Sequence, residues 1–189
     1  MANNILKIYK SKQTIFTAKD IALIWEESNF NNLKSKIKYY VDKKNIIKLR
    51  KGIYAKENYN KLELATKIYT PAYLSFETVL QNEGVIFQPY ESLFVASYLS
   101  REIKCNNKQK IIYRKLKKEI LFNEQGIIKK QNYFMASQER AFLDTVYLFK
   151  NYYFDNLKNI NWEKCFDLVK IYKNKKMIKY LNSYYQENV

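Results

Sequence analysis

Glu139, Arg140 and Asp144 share one short stretch, and two carboxylates beside an arginine are residue types that can serve as an acid–base pair or an effector site. Their spacing also has a plainer meaning. Arg140 and Asp144 are four residues apart, so on a helix they form a salt bridge along one face. No matching His, Lys or metal-ligand spacing accompanies them, and the structural reading is preferred. The chain has no His at all, which removes Ser-His-Asp and Cys-His triads, His metal sites and His general bases. Its two cysteines, Cys105 and Cys165, form no CxxC pair, which excludes a zinc ribbon and a disulfide framework and points to a reducing compartment. Gly52, Gly84 and Gly126 are isolated, so no glycine-rich loop cradles a phosphate. No cofactor and no metal is expected.

Binding chemistry is more prominent than catalytic chemistry. The 189 residues carry 34 Lys+Arg against 18 Asp+Glu, a formal net charge of +16. A surplus of that size suits a polyanionic partner, usually nucleic acid. Codon usage offers a duller source, because Lys, Asn, Ile and Tyr, all with A/T-rich codons, make up 88 of the residues. Distribution separates the two. Residues 1–60 hold a surplus of 8 basic side chains, and residues 61–189 hold the same surplus of 8 over twice the length. Within 33–56 nine basic groups (Lys34, Lys36, Lys38, Lys43, Lys44, Lys48, Arg50, Lys51 and Lys56) face Asp42 alone. Compositional drift does not by itself produce that cluster; a local polyanion site does.

The elements that must position these groups can be read from periodicity. A short helix covers 3–11, with Ile5, Leu6, Ile8 and Tyr9 apolar. Thr17 is a good N-cap for a second helix, and Asp20 sits where an acid complements the helix N-terminus. Asn29 opens a third helix to about Lys44, with Leu33, Ile37, Tyr40 and Val41 as its apolar stripe. Ile47, Leu49 and Ile53 flank Lys51-Gly52 and predict a β-hairpin. Three helices and a basic hairpin are the layout of a winged helix-turn-helix, with the third helix in the major groove and the hairpin on the flanking backbone. The exposed face of that helix then presents Asn31, Asn32, Lys34, Ser35, Lys38, Tyr39 and Asp42. These are suitable, Asp42 apart, for base edges and phosphates. Lys48, Arg50, Lys51 and Lys56 are the expected backbone clamps. A solvated lysine face on a small structural subdomain is the competing explanation.

The polar stretch 57–60 marks a boundary, giving domains over 1–58 and 59–189. The second part opens with a helix over KLELATKIYT, stopped by Pro71. Ser75 is an expected N-cap for FETVLQNE and Gly84 its C-cap. Residues 93–99, 110–116, 119–122, 126–130 and 132–136 read as short strands of a small antiparallel sheet. Ser137 caps a helix over 138–149, and two further helices occupy about 161–187. Arg114, Lys115, Lys117 and Lys118 form a second basic cluster, either the lysine-rich edge of a strand or a second phosphate or toxin contact. Tyr39, Tyr40, Tyr152 and Tyr153 could stack on unpaired bases, although core packing accounts for most aromatic residues here. About 47% of the residues are hydrophobic, which excludes a disordered basic tail. No apolar run approaches the roughly 18 residues of a membrane span, and no signal-peptide pattern follows Met1, so a soluble cytoplasmic protein is expected.

Three stretches resemble the AbiEi-type antitoxins, the antitoxin and transcriptional-regulator half of bacterial type IV abortive-infection toxin–antitoxin pairs. They are the hairpin IIKLRKGIYAK (46–56), the run LATKIYTPAYLSFETVLQNEGVI (64–86), in which a helix, a Pro-containing turn and a second helix ending in Gly follow each other, and the helix MASQERAFLDTVYL (135–148). The resemblance covers most of residues 15–148. Gln138 stands where many relatives carry Pro, and Phe142 where they often carry Leu. The resemblance does not extend to the tail after about residue 150. The resemblance implies a DNA-binding autorepressor of its own operon, acting on operator repeats in double-stranded DNA. It also implies an antitoxin-like domain that counters a nucleotidyltransferase-like toxin without a stable complex. The chain itself lacks the Gly-Ser and Asp-x-Asp pair such a toxin needs for its metals. The fold expected is α+β: an N-terminal winged helix-turn-helix, then an α+β domain with a small antiparallel sheet and C-terminal helices. The alternative function is a non-catalytic interaction module whose basic helix and hairpin bind an acidic protein.

Overall fold

A computed structural model describes residues 2–105 and 110–188 and is mixed α+β. It divides into two compact units, Met1–Ile68 and Tyr69–Val189. Among the described residues no helix is long and apolar enough to cross a membrane.

The first unit runs α1 (Ala2–Lys10), β1 (Ile15–Thr17), α2 (Ala18–Trp25), α3 (Phe30–Asp42), β2 (Ile47–Arg50), β3 (Ile53–Ala55) and α4 (Lys61–Lys67). The start of α2 is a capping box: Thr17 Oγ1 accepts from the Asp20 N–H at 3.1 Å, and Asp20 Oδ2 accepts from the Thr17 N–H at 2.7 Å. Asn29 caps α3 as expected, its Oδ1 accepting from the Asn31 and Asn32 N–H groups at 2.9 and 3.1 Å. Ile8, Phe16, Ile21, Trp25, Leu33, Ile37, Tyr40 and Ile46 form one core that fixes the three helices. The Trp25 indole N–H donates to the Asn4 carbonyl at 2.9 Å. Residues 15–17, which no periodicity marks as a strand, pair antiparallel with β3 and give the sheet order β1-β3-β2. The hairpin turn places Gly52 at φ +78°, a left-handed conformation that glycine adopts without strain.

Helix α4 belongs to this first unit rather than to the second part, and Glu63 shows why. Its buried carboxylate accepts from the Thr14 N–H at 3.0 Å, the Thr14 hydroxyl at 2.7 Å and the Ile15 N–H at 3.2 Å. Lys67 adds an ion pair to Asp20 at 3.0 Å. The compact boundary therefore lies after Ile68, beyond the polar stretch 57–60.

The second unit runs β4 (Ala72–Leu74), α5 (Glu77–Asn82), β5 (Leu93–Ser97), β6 (Arg101–Lys104), β7 (Lys110–Lys115), α6 (Lys118–Leu121), β8 (Ile127–Lys129), β9 (Phe134–Ala136), α7 (Gln138–Phe149), α8 (Trp162–Leu168) and α9 (Lys175–Asn188), with a 3-10 turn at Val169–Tyr172. Its sheet has six strands in the order β6-β7-β5-β4-β9-β8. The antiparallel expectation is corrected: β5 pairs with β7, and β4 with β9, in parallel. Strand β5 is buried from Phe94 to Ser97, the continuous burial typical of a central strand with parallel neighbours.

Three local expectations change with it. Residues 119–122 are not a strand, because Leu121 and Phe122 donate their N–H groups to the Lys117 and Lys118 carbonyls in a single helical turn. Ser75 does not cap α5; its hydroxyl donates instead to Asp144 Oδ2 at 2.8 Å. Ile178 in α9 is exposed, while Met177 and Leu181 are buried. The Gly84 cap holds: the Gly84 and Val85 N–H groups close on the Gln81 and Leu80 carbonyls in a Schellman arrangement.

At the centre of this unit Arg140 and Asp144 are both fully buried and paired at 3.3 Å. Asp144 also accepts from Tyr73 at 3.0 Å, Ser75 at 2.8 Å and Tyr172 at 2.6 Å. Arg140 donates to the carbonyls of Ile120 at 2.7 Å and Gln125 at 2.8 Å. This ties α7 to β4, α6 and the 3-10 turn. The salt-bridge reading of the i, i+4 pair is what the structure shows, buried rather than on a surface.

Candidate nucleic-acid interface

Burying Leu33, Ile37 and Tyr40 rotates the opposite face of α3 outward, and Asn31, Asn32, Lys34, Ser35, Lys38, Tyr39 and Asp42 are all exposed. The hairpin flanks this face because β3 is held between β1 and β2, and because the Ala18 N–H donates to the Gly52 carbonyl at 3.2 Å. The result is an open groove of about 540 Å³ lined by Asn31, Lys34, Ser35, Lys38 and Asp42 from α3 and by Lys48 and Tyr54 from the hairpin. Three ammonium groups thus share one concavity with a single carboxylate, a field that attracts an anion. Amide and hydroxyl groups interleave with the cations, so the surface can donate to phosphates and to acceptors on a base edge.

Five of the ten residues read from the sequence as the DNA contact set line the groove: Asn31, Lys34, Ser35, Lys38 and Lys48. Asn32 and Tyr39 lie on the exposed surface of α3 outside it, with Tyr39 edge-on to Tyr40 at 5.2 Å. Arg50 and Lys51 are exposed at the end of β2 and the hairpin turn.

Lys56 is a correction. It is not a clamp on the outer face of the hairpin. Its ammonium donates to the Ser11 carbonyl at 2.6 Å and the Tyr9 carbonyl at 3.2 Å, closing the C-terminal end of α1. Burial pushes its pKa below that of an ordinary lysine, and nearby Glu63 works against the shift. Lys36, a member of the basic cluster, is likewise committed, pairing with Glu27 at 2.6 Å.

The second basic cluster separates into two parts. Arg114 is turned inward, paired through both guanidinium nitrogens with Glu77 and packed 4.5–4.9 Å from the rings of Phe76, Phe94 and Phe149. Strand β7 lies inside the sheet, and Lys117 and Lys118 stand at the start of α6, so the cluster is not a strand edge either. Lys115, Lys117 and Lys118 remain exposed together. Of the tyrosines considered for stacking, Tyr40 is buried against Trp25, Tyr152 is half-buried, and Tyr39 and Tyr153 are exposed. Cys165 is buried, and burial pushes its thiol well above the usual range.

Two contributors to this surface lie outside the set read from the sequence. Tyr54 faces the groove because β3 alternates: Ile53 and Ala55 are buried and Tyr54 is half-exposed. That two-residue alternation is a usable signal. Phe30 is 66% exposed at the first position of α3, one helical turn before Lys34. At i−3 from Leu33 it continues the Leu33–Ile37–Tyr40 stripe, so spacing alone predicts burial and gives no signal of its exposure. No protein-family model matches the chain, and no curated protein matches it.

Proposed function

We propose that the first unit is a winged helix-turn-helix that sets α3 into the major groove of double-stranded DNA, with the β2–β3 hairpin on the adjacent phosphate backbone. The observation that carries this reading is the groove itself. Lys34 and Lys38 of α3 meet Lys48 of the hairpin across one concavity, with Asn31 and Ser35 between them. The element order supports it, since helices α1, α2 and α3 precede a basic hairpin whose second strand joins β1. Lys34, Lys38 and Lys48 act on phosphates or acceptor-rich base edges, and Asn31 and Ser35 supply hydrogen bonds that can discriminate bases.

The wider role rests on the resemblance to AbiEi-type antitoxins. The chain represses its own operon through repeats in the operator. Its second unit counters a nucleotidyltransferase-like toxin without a lasting complex, in the cytoplasm and without a cofactor. The buried Arg140–Asp144 network supports a scaffolding part for the 135–148 motif, whose polar residues hold the core of that unit.

Co-expression with the neighbouring gene tests both roles at once. The full chain is expected to relieve growth arrest and to silence a reporter placed behind its own promoter. Lys34→Ala combined with Lys38→Ala is expected to release the reporter while leaving the relief of toxicity intact. Loss of both roles together, or of neither, contradicts the division of labour.

A further inference from the structure

The first turn of α3 has unusual chemistry for a DNA-facing helix, and it specifies more than a generic phosphate contact. Its residues Phe30, Asn31, Asn32 and Leu33 include no cation, and the helix as a whole contains no arginine. The Asn31 and Asn32 N–H groups are taken by the Asn29 cap, so they are not available to a phosphate. What remains on the surface is the pair of side-chain amides and the Phe30 ring, 66% exposed. Lys34 holds its ammonium 5.7 Å from that ring centroid, a cation–π contact that orients the ring on the side of the helix where Lys34 and Lys38 stand.

Each of these groups has a distinct complement in the major groove. An asparagine amide offers one donor and one acceptor, matching the N6–H and N7 of adenine, whereas the paired acceptors of guanine call for a cation. An exposed aromatic edge has one apolar feature to meet there, the 5-methyl group of thymine. Resting on the DNA-binding reading above, we infer that the first turn of α3 reads A·T base pairs, with Phe30 against a thymine methyl and Asn31 or Asn32 on adenine. Phe30 is then a specificity-determining residue, while Lys34 and Lys38 supply affinity.

Selection of the full-length protein on a randomised duplex pool, with single thymidines of the enriched duplex then replaced by deoxyuridine, tests this directly. The enriched core is expected to contain A·T pairs. Removing one thymine methyl is expected to weaken wild-type binding by about fourfold, the effect of one apolar carbon returned to water. Phe30→Ala is expected to bind the thymine and uracil duplexes equally, and Phe30→Leu to keep part of the preference, which separates lost readout from a folding defect. Lys38→Ala is expected to weaken both duplexes and preserve their ratio. A core of G·C pairs, or equal wild-type affinity for the thymine and uracil duplexes, overturns the assignment while leaving DNA binding in place. Failure of the pool to enrich any duplex overturns the DNA-binding reading and this assignment with it.

Discussion

Asp20 illustrates how one carboxylate holds an element in place. Burial works against its ionisation, but the Thr17 N–H and the Lys67 ammonium outweigh it and hold the carboxyl below the ordinary range. A depressed native pKa means the folded state binds its proton less readily than the unfolded state. The stabilisation is therefore present at neutral pH and is lost as pH falls below about 4. Urea unfolding over a pH series is expected to show Asp20→Asn less stable than wild type at pH 7, with the gap closing in acid. A constant gap contradicts this account. Asp144 is a stronger case, because its removal strands a fully buried guanidinium among Tyr73, Tyr172 and backbone carbonyls. Asp144→Ala is expected to cost about 3–5 kcal/mol in the same measurement. Replacing Arg140 and Asp144 together by apolar residues of similar volume should cost less. Both residues stand out in the sequence as an i, i+4 pair. Their burial does not, because Tyr73 and Ser75 come from a strand some seventy residues upstream.

The helices and hairpin of the first unit are legible in the sequence because their signals are local. Thr17 caps α2 and Asn29 caps α3, and Leu33, Ile37 and Tyr40 repeat at helical spacing. The site residues on α3 inherit that clarity, since one buried stripe determines which side chains face out. Lys56 reads wrongly as a clamp because its partners, the Tyr9 and Ser11 carbonyls, lie more than forty residues away in sequence. The mixed sheet is hidden for a related reason. Strand β7 enters between β5 and β6, an order that no local pattern encodes, although the uninterrupted apolar run of β5 hints at burial on both faces. Gly126 marks a close approach of backbone to side chains in this unit. At φ +72°, a Cβ there would stand 2.9 Å from Arg140 Cβ and 3.2 Å from a Leu168 methyl. Gly126→Ala is therefore expected to destabilise by roughly 1–2 kcal/mol from backbone strain alone, and further from the clash. Thermal unfolding that leaves Tm unchanged would contradict that packing.

For the whole molecule, the net charge of +16 is informative only through its placement. Among the nine basic side chains in 33–56, Lys36 and Lys56 are engaged within the fold and are not spare surface charge. Lys34, Lys38 and Lys48 converge on the groove. In the second unit Arg114 is likewise internal, which leaves only lysines of that cluster exposed. On the proposed reading, this particular trio of lysines, rather than the basic composition at large, confers DNA binding. Fluorescence anisotropy of the full chain on duplex DNA from upstream of its own gene, measured across a salt series, tests it most directly. A steep linear fall of log affinity with log salt is expected for the wild type. For Lys34→Ala/Lys38→Ala/Lys48→Ala weaker binding is expected, with the slope reduced by roughly 0.9 for each phosphate contact removed. A triple variant with wild-type affinity and an unchanged salt slope would contradict it.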